Sequence, residues 1–177
     1  MMNRIIVVAG LLALLVAPVA ARADTIQVGE GVNQAEVWIE FKDGAMYTFE
    51  VAFGTGPEST VTGLELFDII EADTTLYTVR QDYGFGVFID GIYYYDDGNE
   101  GYLGGEDWWH YWTMETDDST WVAPPYGAVD RIVEDGDSDG WVYGKAYPPG
   151  EVPEPASLAL LLTGVAFVVR RTRATAR

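Results

Sequence analysis

The sequence predicts an α+β fold, in which a small mixed sheet carries one helix, between an N-terminal signal helix and a C-terminal transmembrane helix. Three observations lead to this prediction. Apolar residues alternate with polar ones from position 35 to 53, they recur at helical spacing from 62 to 71, and apolar runs stand near both ends of the 177-residue chain. The segments predicted from these patterns are 1–23, 24–150, 151–155, 156–169 and 170–177.

The first 23 residues have the parts of a secretory signal peptide. Arg4 supplies positive charge, and residues 5–16 form an apolar segment of twelve residues. Ala21 and Ala23 give the small-x-small pattern that signal peptidase recognises. We therefore expect export across the inner membrane and cleavage before Asp24. The alternative is an uncleaved membrane anchor, although the apolar segment is short for a membrane span.

Residues 35–53 predict a β-hairpin. From position 35 to 41 every second residue is apolar, which is the pattern of a strand with one buried face. Residues 42–44 are Lys, Asp and Gly, which favour a tight turn. A second alternating run at residues 47–53 completes the pair of strands.

One helix is predicted after the hairpin, from position 62 to 71. Thr62 and Glu65 have the spacing of a capping box, and Phe67 and Ile70 belong to an apolar stripe. Packing such a helix across one face of the sheet buries both apolar surfaces, as in a β-grasp-like domain. Further short strands are predicted at 76–80, 86–89, 92–95, 109–114, 132–133 and 141–145.

Five short pieces between positions 60 and 144 form a further pattern: TVTGLELF at 60–67, GVFIDGI at 86–92, WWHYW at 108–112, GA at 127–128, and EDGD at 134–137 followed by Trp141. In this order they resemble the transcobalamin-like C-terminal domain family, which is common in bacterial surface proteins of unknown function. The resemblance implies the same β-grasp-like fold, and it raises a corrinoid as one small ligand of the domain.

The C-terminal end contains a second apolar segment. Val152, Pro153, Glu154 and Pro155 precede it, and its fourteen residues at 156–169 make about 21 Å of helix. That length is less than the roughly 30 Å of a bilayer core. Arginines follow the segment and favour a cytoplasmic end with the domain outside. The first of these are Arg170 and Arg171.

This order of motif, apolar segment and arginines resembles the PEP-CTERM sorting signal. The resemblance implies recognition by exosortase, a membrane-embedded cysteine peptidase and transferase, and removal of the tail near the motif. The domain would be anchored transiently and then lie at the cell surface or outside the cell. Members of this group come from Gram-negative bacteria that usually make exopolysaccharide. An ordinary single-pass tail anchor is the alternative.

The predicted domain at 24–150 is strongly acidic. It holds 26 of the 28 acidic residues and four basic ones, which gives a net charge of −22. This charge argues against nucleic acid and anionic lipid as partners, and it favours cationic partners, calcium or simply a solvated acidic surface. The chain has no cysteine, so disulfides, thiolate metal sites and cysteine nucleophiles are excluded.

Aromatic residues are concentrated in the middle of the domain. On a strand, Trp108, His110 and Trp112 share one face, while Trp109 and Tyr111 share the other. Either both rows pack against core and loops, or one row stays open to a planar ligand or a sugar. The candidate ligand-binding residues are Trp108, Trp109, Tyr111, Trp112 and Trp121.

Residues 135–140 begin like a calcium-binding loop. Asp135, Asp137 and Asp139 supply oxygens at loop positions 1, 3 and 5, and a glycine stands at position 6. Position 12 is Ala146 instead of glutamate, so an EF-hand is not expected. A tight hairpin turn and a looser calcium site are the two interpretations, and no other cofactor is expected.

No catalytic motif occurs in the sequence. His110 is the single histidine, and phosphate-binding, zinc and Gly-x-Ser-x-Gly motifs are missing. Acidic pairs of the kind used in glycoside hydrolysis are offered by any acidic loop. The sequence therefore favours a non-enzymatic surface or matrix protein associated with exopolysaccharide. The alternative is a surface module that binds a corrinoid or carbohydrate.

Overall fold

A computed structural model describes residues 25–84 and 86–150. Within them the chain forms a sheet-dominated α+β structure with one helix, as the sequence predicts. The helix is α1 (Gly63–Asp73), and the strands are β1 (Thr25–Gly29), β2 (Asn33–Glu40), β3 (Met46–Phe53), β4 (Val61–Thr62), β5 (Tyr77–Asp82), β6 (Val87–Tyr94), β7 (Asp97–Glu100), β8 (Trp109–Met114), β9 (Ile132–Val133) and β10 (Ser138–Tyr143).

Five strands form the main sheet in the order β1-β3-β2-β10-β8. The predicted hairpin is confirmed as the antiparallel pair β2 and β3, in which Val37 lies opposite Phe49. Strand β10 runs parallel to β2 and antiparallel to β8. Strand β1 was not predicted, and it adds to β3 in parallel at one edge. The last of the described strands, β10, therefore occupies the sheet interior, and β8 lies at the other edge.

The predicted helix is confirmed, and it extends two residues beyond the predicted end. Its capping box is formed: the Glu65 amide donates to Thr62 Oγ1 at 3.2 Å, and the Thr62 amide donates to Glu65 Oε2 at 2.7 Å. Leu66, Phe67 and Ile70 are fully buried. The apolar stripe therefore faces the core.

The core lies between α1 and one face of the main sheet. Val37, Ile39 and Phe49 are fully buried there, as the alternating pattern predicts. Trp141 of β10 meets Phe67 of α1 edge-on, with ring centroids 5.4 Å apart. Strand β10 begins at residue 138, three residues before the predicted start. Half of the acidic loop at 135–140 is therefore strand.

Strands β5, β6 and β7 form a separate antiparallel sheet, and β4 pairs with β9. Two strands at 86–89 and 92–95 were predicted where β6 is continuous, because Gly91 looks like a break in the sequence. A side chain at Gly91 would begin 3.1 Å from Glu100 Cγ. The glycine thus allows β7 to approach β6, and it does not end the strand.

The second face of the main sheet is covered by aromatic and proline residues. Trp38 and Trp121 meet edge-on, with centroids 6.1 Å apart. A side chain at Gly140 would begin 2.7 Å from Pro149 Cγ and 3.0 Å from Trp121 Cζ3. We call residues 145–150 the covering segment, because they return over this face.

Glu40 holds the covering segment in place. Lys145 Nζ donates to Glu40 Oε1 at 2.6 Å, and the Gly150 amide donates to Glu40 Oε2 at 3.2 Å. Every residue of β10 is buried as a result. Strand β10 is thus enclosed by the helix on one side and by the covering segment, with its tryptophan neighbours, on the other.

The predicted signal peptide, processing motif, apolar segment and basic tail lie outside the described residues. In the part of the chain that the structure describes, no helix combines the length and apolar character needed to cross a membrane.

Candidate ligand-binding groove

A groove of about 580 Å³ lies where β8, the edge strand of the main sheet, meets β6 of the smaller sheet. We call it the aromatic groove. Its walls come from three stretches of the chain that are distant in sequence and from a few further residues. The stretches are residues 87–90 of β6, residues 108–112 at β8 and the loop at 123–128, and the further residues are Tyr83, Gly101, Tyr102 and Trp141.

Four of the five predicted ligand-binding residues line the aromatic groove: Trp108, Trp109, Tyr111 and Trp112. Trp121 does not, because it lies on the covered face of the sheet beside Trp38. The sequence therefore locates one wall of the groove, and Trp121 belongs to a different aromatic contact.

Residues of both strand faces reach the groove, whereas the alternating pattern predicted either two packed rows or one open row. Trp109 is buried against Phe41 and Tyr143, with ring centroids 5.6 and 5.3 Å away. Trp108 is 44 % exposed. Both line the groove because β8 is an edge strand, and the groove follows that edge.

The Trp108 ring packs on His110, with centroids 4.0 Å apart and planes tilted by 40°. His110 is buried, and its Nε2 lies 3.1 Å from the carbonyl oxygen of Glu106. One side of Trp108 is thus supported while much of the residue stays exposed. A supported, exposed ring is the arrangement that suits stacking with a flat ligand.

Sequence reasoning missed the opposite walls of the groove. Phe88 and Asp90 come from β6, while Tyr83, Tyr102 and Tyr126 come from loops. The available signal was the high aromatic content of these loops. It did not show that they converge, because no spacing in the sequence relates them to β8.

A buried charge cluster stands beside the groove. Arg131 donates to Asp137 Oδ2 and to Glu115 Oε1, each at 2.8 Å, and its Nε lies 3.5 Å from Asp139 Oδ1. The Tyr111 hydroxyl donates to Asp139 Oδ2 at 2.7 Å. The cluster therefore fixes the hydroxyl end of Tyr111, whose ring lines the groove.

Burial shifts the titration of this cluster. It raises the pKa of Asp139 to about 6, although the Tyr111 hydroxyl and the Arg131 guanidinium act to lower it. Burial, and then the Asp139 charge, raise the pKa of Tyr111 above its ordinary value. Burial acts to lower the pKa of Arg131, but its acidic neighbours raise it overall. Arg131 is therefore charged, and Asp139 titrates unusually late.

The candidate calcium residues accept hydrogen bonds from protein groups. Asp135 Oδ1 accepts from the Gln34 amide at 2.8 Å, and Asp137 Oδ1 accepts from the Thr116 amide at 3.0 Å. Asp139 faces Tyr111. Among the described residues no three acidic, histidine or cysteine side chains are grouped to hold a metal ion. Calcium binding at this loop stays a prediction.

Comparisons of the chain with protein-family models, curated proteins and solved structures give no match. The resemblances drawn from the sequence therefore stay predictions, and the groove must be judged by its own chemistry.

Proposed function

We propose that this chain is a non-enzymatic protein that is exported, processed by exosortase, and displayed at the cell surface or in the extracellular matrix. The observation that carries the proposal is the order of Pro153-Glu154-Pro155, the apolar residues 156–169 and the terminal arginines. The acidic domain supports it, because a net charge of −22 favours solubility outside the membrane.

We further propose that the domain is of the β-grasp type. The supporting observation is the strand order around β10: the hairpin β2-β3, the helix α1, and a late strand that inserts parallel to β2 with β8 antiparallel beyond it. Strand β1 and the smaller sheet β5-β6-β7 are additions to that plan.

The absence of catalysis is part of the proposal. His110, the single histidine, has its Nε2 beside a backbone carbonyl, so it is not placed against a nucleophile. Asp139 has a raised pKa, but its carboxylate is buried between Tyr111 and Arg131. The raised pKa of a buried acid that faces no open site follows from its burial and does not require a catalytic role.

Processing is tested by replacing Pro153 and Glu154 with alanine in the full-length chain. We expect the variant to stay membrane-bound with its tail attached, while the wild type is released with a mass that ends near the motif. Pro57 and Glu58 provide a matched control, because the same dipeptide is exposed in a turn of the folded domain. Its double alanine variant should be processed normally. Mass spectrometry of surface material that shows the intact wild-type tail would contradict the proposal.

A second candidate function is that of a small-ligand module for a corrinoid or a carbohydrate. The aromatic groove favours it, because a cavity of about 580 Å³ with aromatic walls has the size and lining typical of ligand sites. Titration of cyanocobalamin and of oligosaccharides against tryptophan fluorescence tests this function. Saturable quenching that is reduced in Trp112→Ala is expected, and no quenching with either ligand class would count against a ligand module.

A further inference from the structure

We infer that the aromatic groove binds an uncharged carbohydrate chain. This inference rests on the proposed ligand-binding function and names the ligand class for that same site. Three features of the described residues carry it: the ion pairing of the basic side chains, the exposed aromatic rings, and the carboxylate in the groove wall.

The first feature excludes anionic ligands. Lys42, Arg80, Arg131 and Lys145 are the basic residues of the described chain, and each is engaged in an ion pair. None of them lines the groove, whose charged lining residue is Asp90. A phosphate, nucleotide or uronate would meet no cation there, and the acidic domain would repel it.

The second feature is a set of exposed rings around one cavity. Trp108, Tyr102 and Tyr126 are 44, 68 and 40 % exposed, and all three line the groove. The face of an aromatic ring is electron-rich, and it attracts the slightly positive C–H groups on one side of a sugar ring. Several such rings in one groove suit a chain of sugars better than a single sugar.

The third feature argues against a purely apolar ligand. Asp90 is half-buried in the groove wall, and no described side chain donates a hydrogen bond to its carboxylate. An apolar ligand that excluded water from it would leave a charge unpaired, at a high cost. A sugar hydroxyl can donate to Asp90, and the phenol groups of Tyr102 and Tyr126 can both donate to and accept from further hydroxyls.

A proline-rich peptide is the main competing occupant, because such peptides also dock in aromatic grooves. A corrinoid is another. The carbohydrate is favoured because the groove combines ring faces with a hydrogen-bond acceptor and two hydroxyl groups. A proline-rich peptide and a corrinoid are therefore titrated alongside the carbohydrates.

The test is calorimetric titration of the full-length chain in detergent. The neutral probes are cellohexaose, maltohexaose and laminarihexaose, and the competing probes are hexagalacturonate, cyanocobalamin and decaproline. We expect at least one neutral hexasaccharide to bind, with little dependence on salt, and hexagalacturonate to bind more weakly or not at all.

Variants locate the binding. Trp108→Ala should weaken binding of that hexasaccharide about tenfold or more, as expected for a central tryptophan of a binding site. Asp90→Asn should weaken it to a smaller degree. Tyr77→Ala is the matched control and should leave it unchanged, since Tyr77 is exposed but stacks on Tyr93 outside the groove. Thermal melting confirms that each variant is folded.

The outcomes separate the two levels of the proposal. If cyanocobalamin or decaproline binds in a Trp108-dependent way and no neutral hexasaccharide does, the carbohydrate class is wrong while the ligand-binding function stands. Tighter binding of hexagalacturonate than of the neutral chains also overturns the class. If no probe binds, both the carbohydrate and the ligand module are rejected, and the processed surface protein is unaffected.

Discussion

The two tryptophan-bearing regions beside the main sheet differ in how they are covered. Trp38 and Trp121 lie on a face that the covering segment, residues 145–150, closes through Pro149 and Gly150. At the β8 edge, Trp108 remains 44 % exposed beside a cavity of about 580 Å³. The same residue type is thus structural in one region and open to ligands in the other. The role of each tryptophan depends on whether a later segment of the chain packs over it.

The two regions are also held by different ion pairs. Arg131, beside the groove, is nearly fully buried with Asp137 and Asp139. The covering segment is held by Lys145 and Glu40, whose side chains keep 25 and 12 % exposure. Breaking a buried pair leaves a charge without solvent, whereas a partly exposed pair is replaced by water. Loss of Arg131 should therefore lower the free energy of unfolding much more than loss of Lys145.

The largest expected effect is that of Arg131→Met. This change leaves Asp137 and Asp139 buried without a counter-charge, so we expect a loss of about 3–5 kcal/mol in the free energy of unfolding. Lys145→Met is the control, with an expected loss of about 1 kcal/mol or less. Urea denaturation of both variants at neutral pH measures the difference. Equal losses would show that the two ion pairs do not differ in the way that their burial implies.

The second prediction concerns how the stability of Asp139→Asn, compared with that of the wild type, depends on pH. Because its folded pKa is raised to about 6, the contribution of Asp139 to stability is present below its unfolded pKa and is lost as the pH rises through 6. Relative to the wild type, the variant should gain up to about 3 kcal/mol between pH 4 and pH 7. Denaturation of both proteins at several pH values gives this difference, since the other acids cancel. A difference that does not change with pH would rule out the shifted titration.

A smaller effect is expected for Gly140→Ala on the covered face. The new methyl group would lie within 3.0 Å of Pro149 and Trp121, so we expect a loss of about 1–3 kcal/mol. Gly127→Ala, in the groove wall, meets nothing within 4 Å and should change stability by less than about 0.5 kcal/mol. Thermal melting of the two variants compares them directly. Similar melting temperatures would mean that the covering segment is not packed on β10.

The hairpin and the helix could be predicted from the sequence because each depends on residues that are close together in the chain. The hairpin β2-β3 follows from alternation and a turn, and α1 follows from a capping box and an apolar stripe. Strand β7 was not predicted, since Asp97–Glu100 carries no strand pattern and forms only by pairing with β6. Gly91 was misinterpreted as a break for the same reason, because its role depends on the neighbouring strand.

The aromatic groove could be predicted from the sequence only in part. Trp108 and Trp112 stand out on a single strand, so the sequence identifies that wall of the groove. Asp90 and Tyr126 do not stand out, because their position beside β8 depends on how two sheets meet. The loop pattern does not show that the fold brings Arg131 to Asp137 and Tyr111 to Asp139, because these partners come from other parts of the chain.

By itself, the sequence determined the hairpin and the helix, whose signals lie within a few residues, together with the acidic charge and the lack of cysteine. Tertiary structure alone decided which aromatic residues are covered and which line a cavity. It also decided that Asp137 and Asp139 pair with a buried arginine. The physical reason is that secondary structure depends on neighbours along the chain, whereas burial and pairing depend on which distant segments fill the same space.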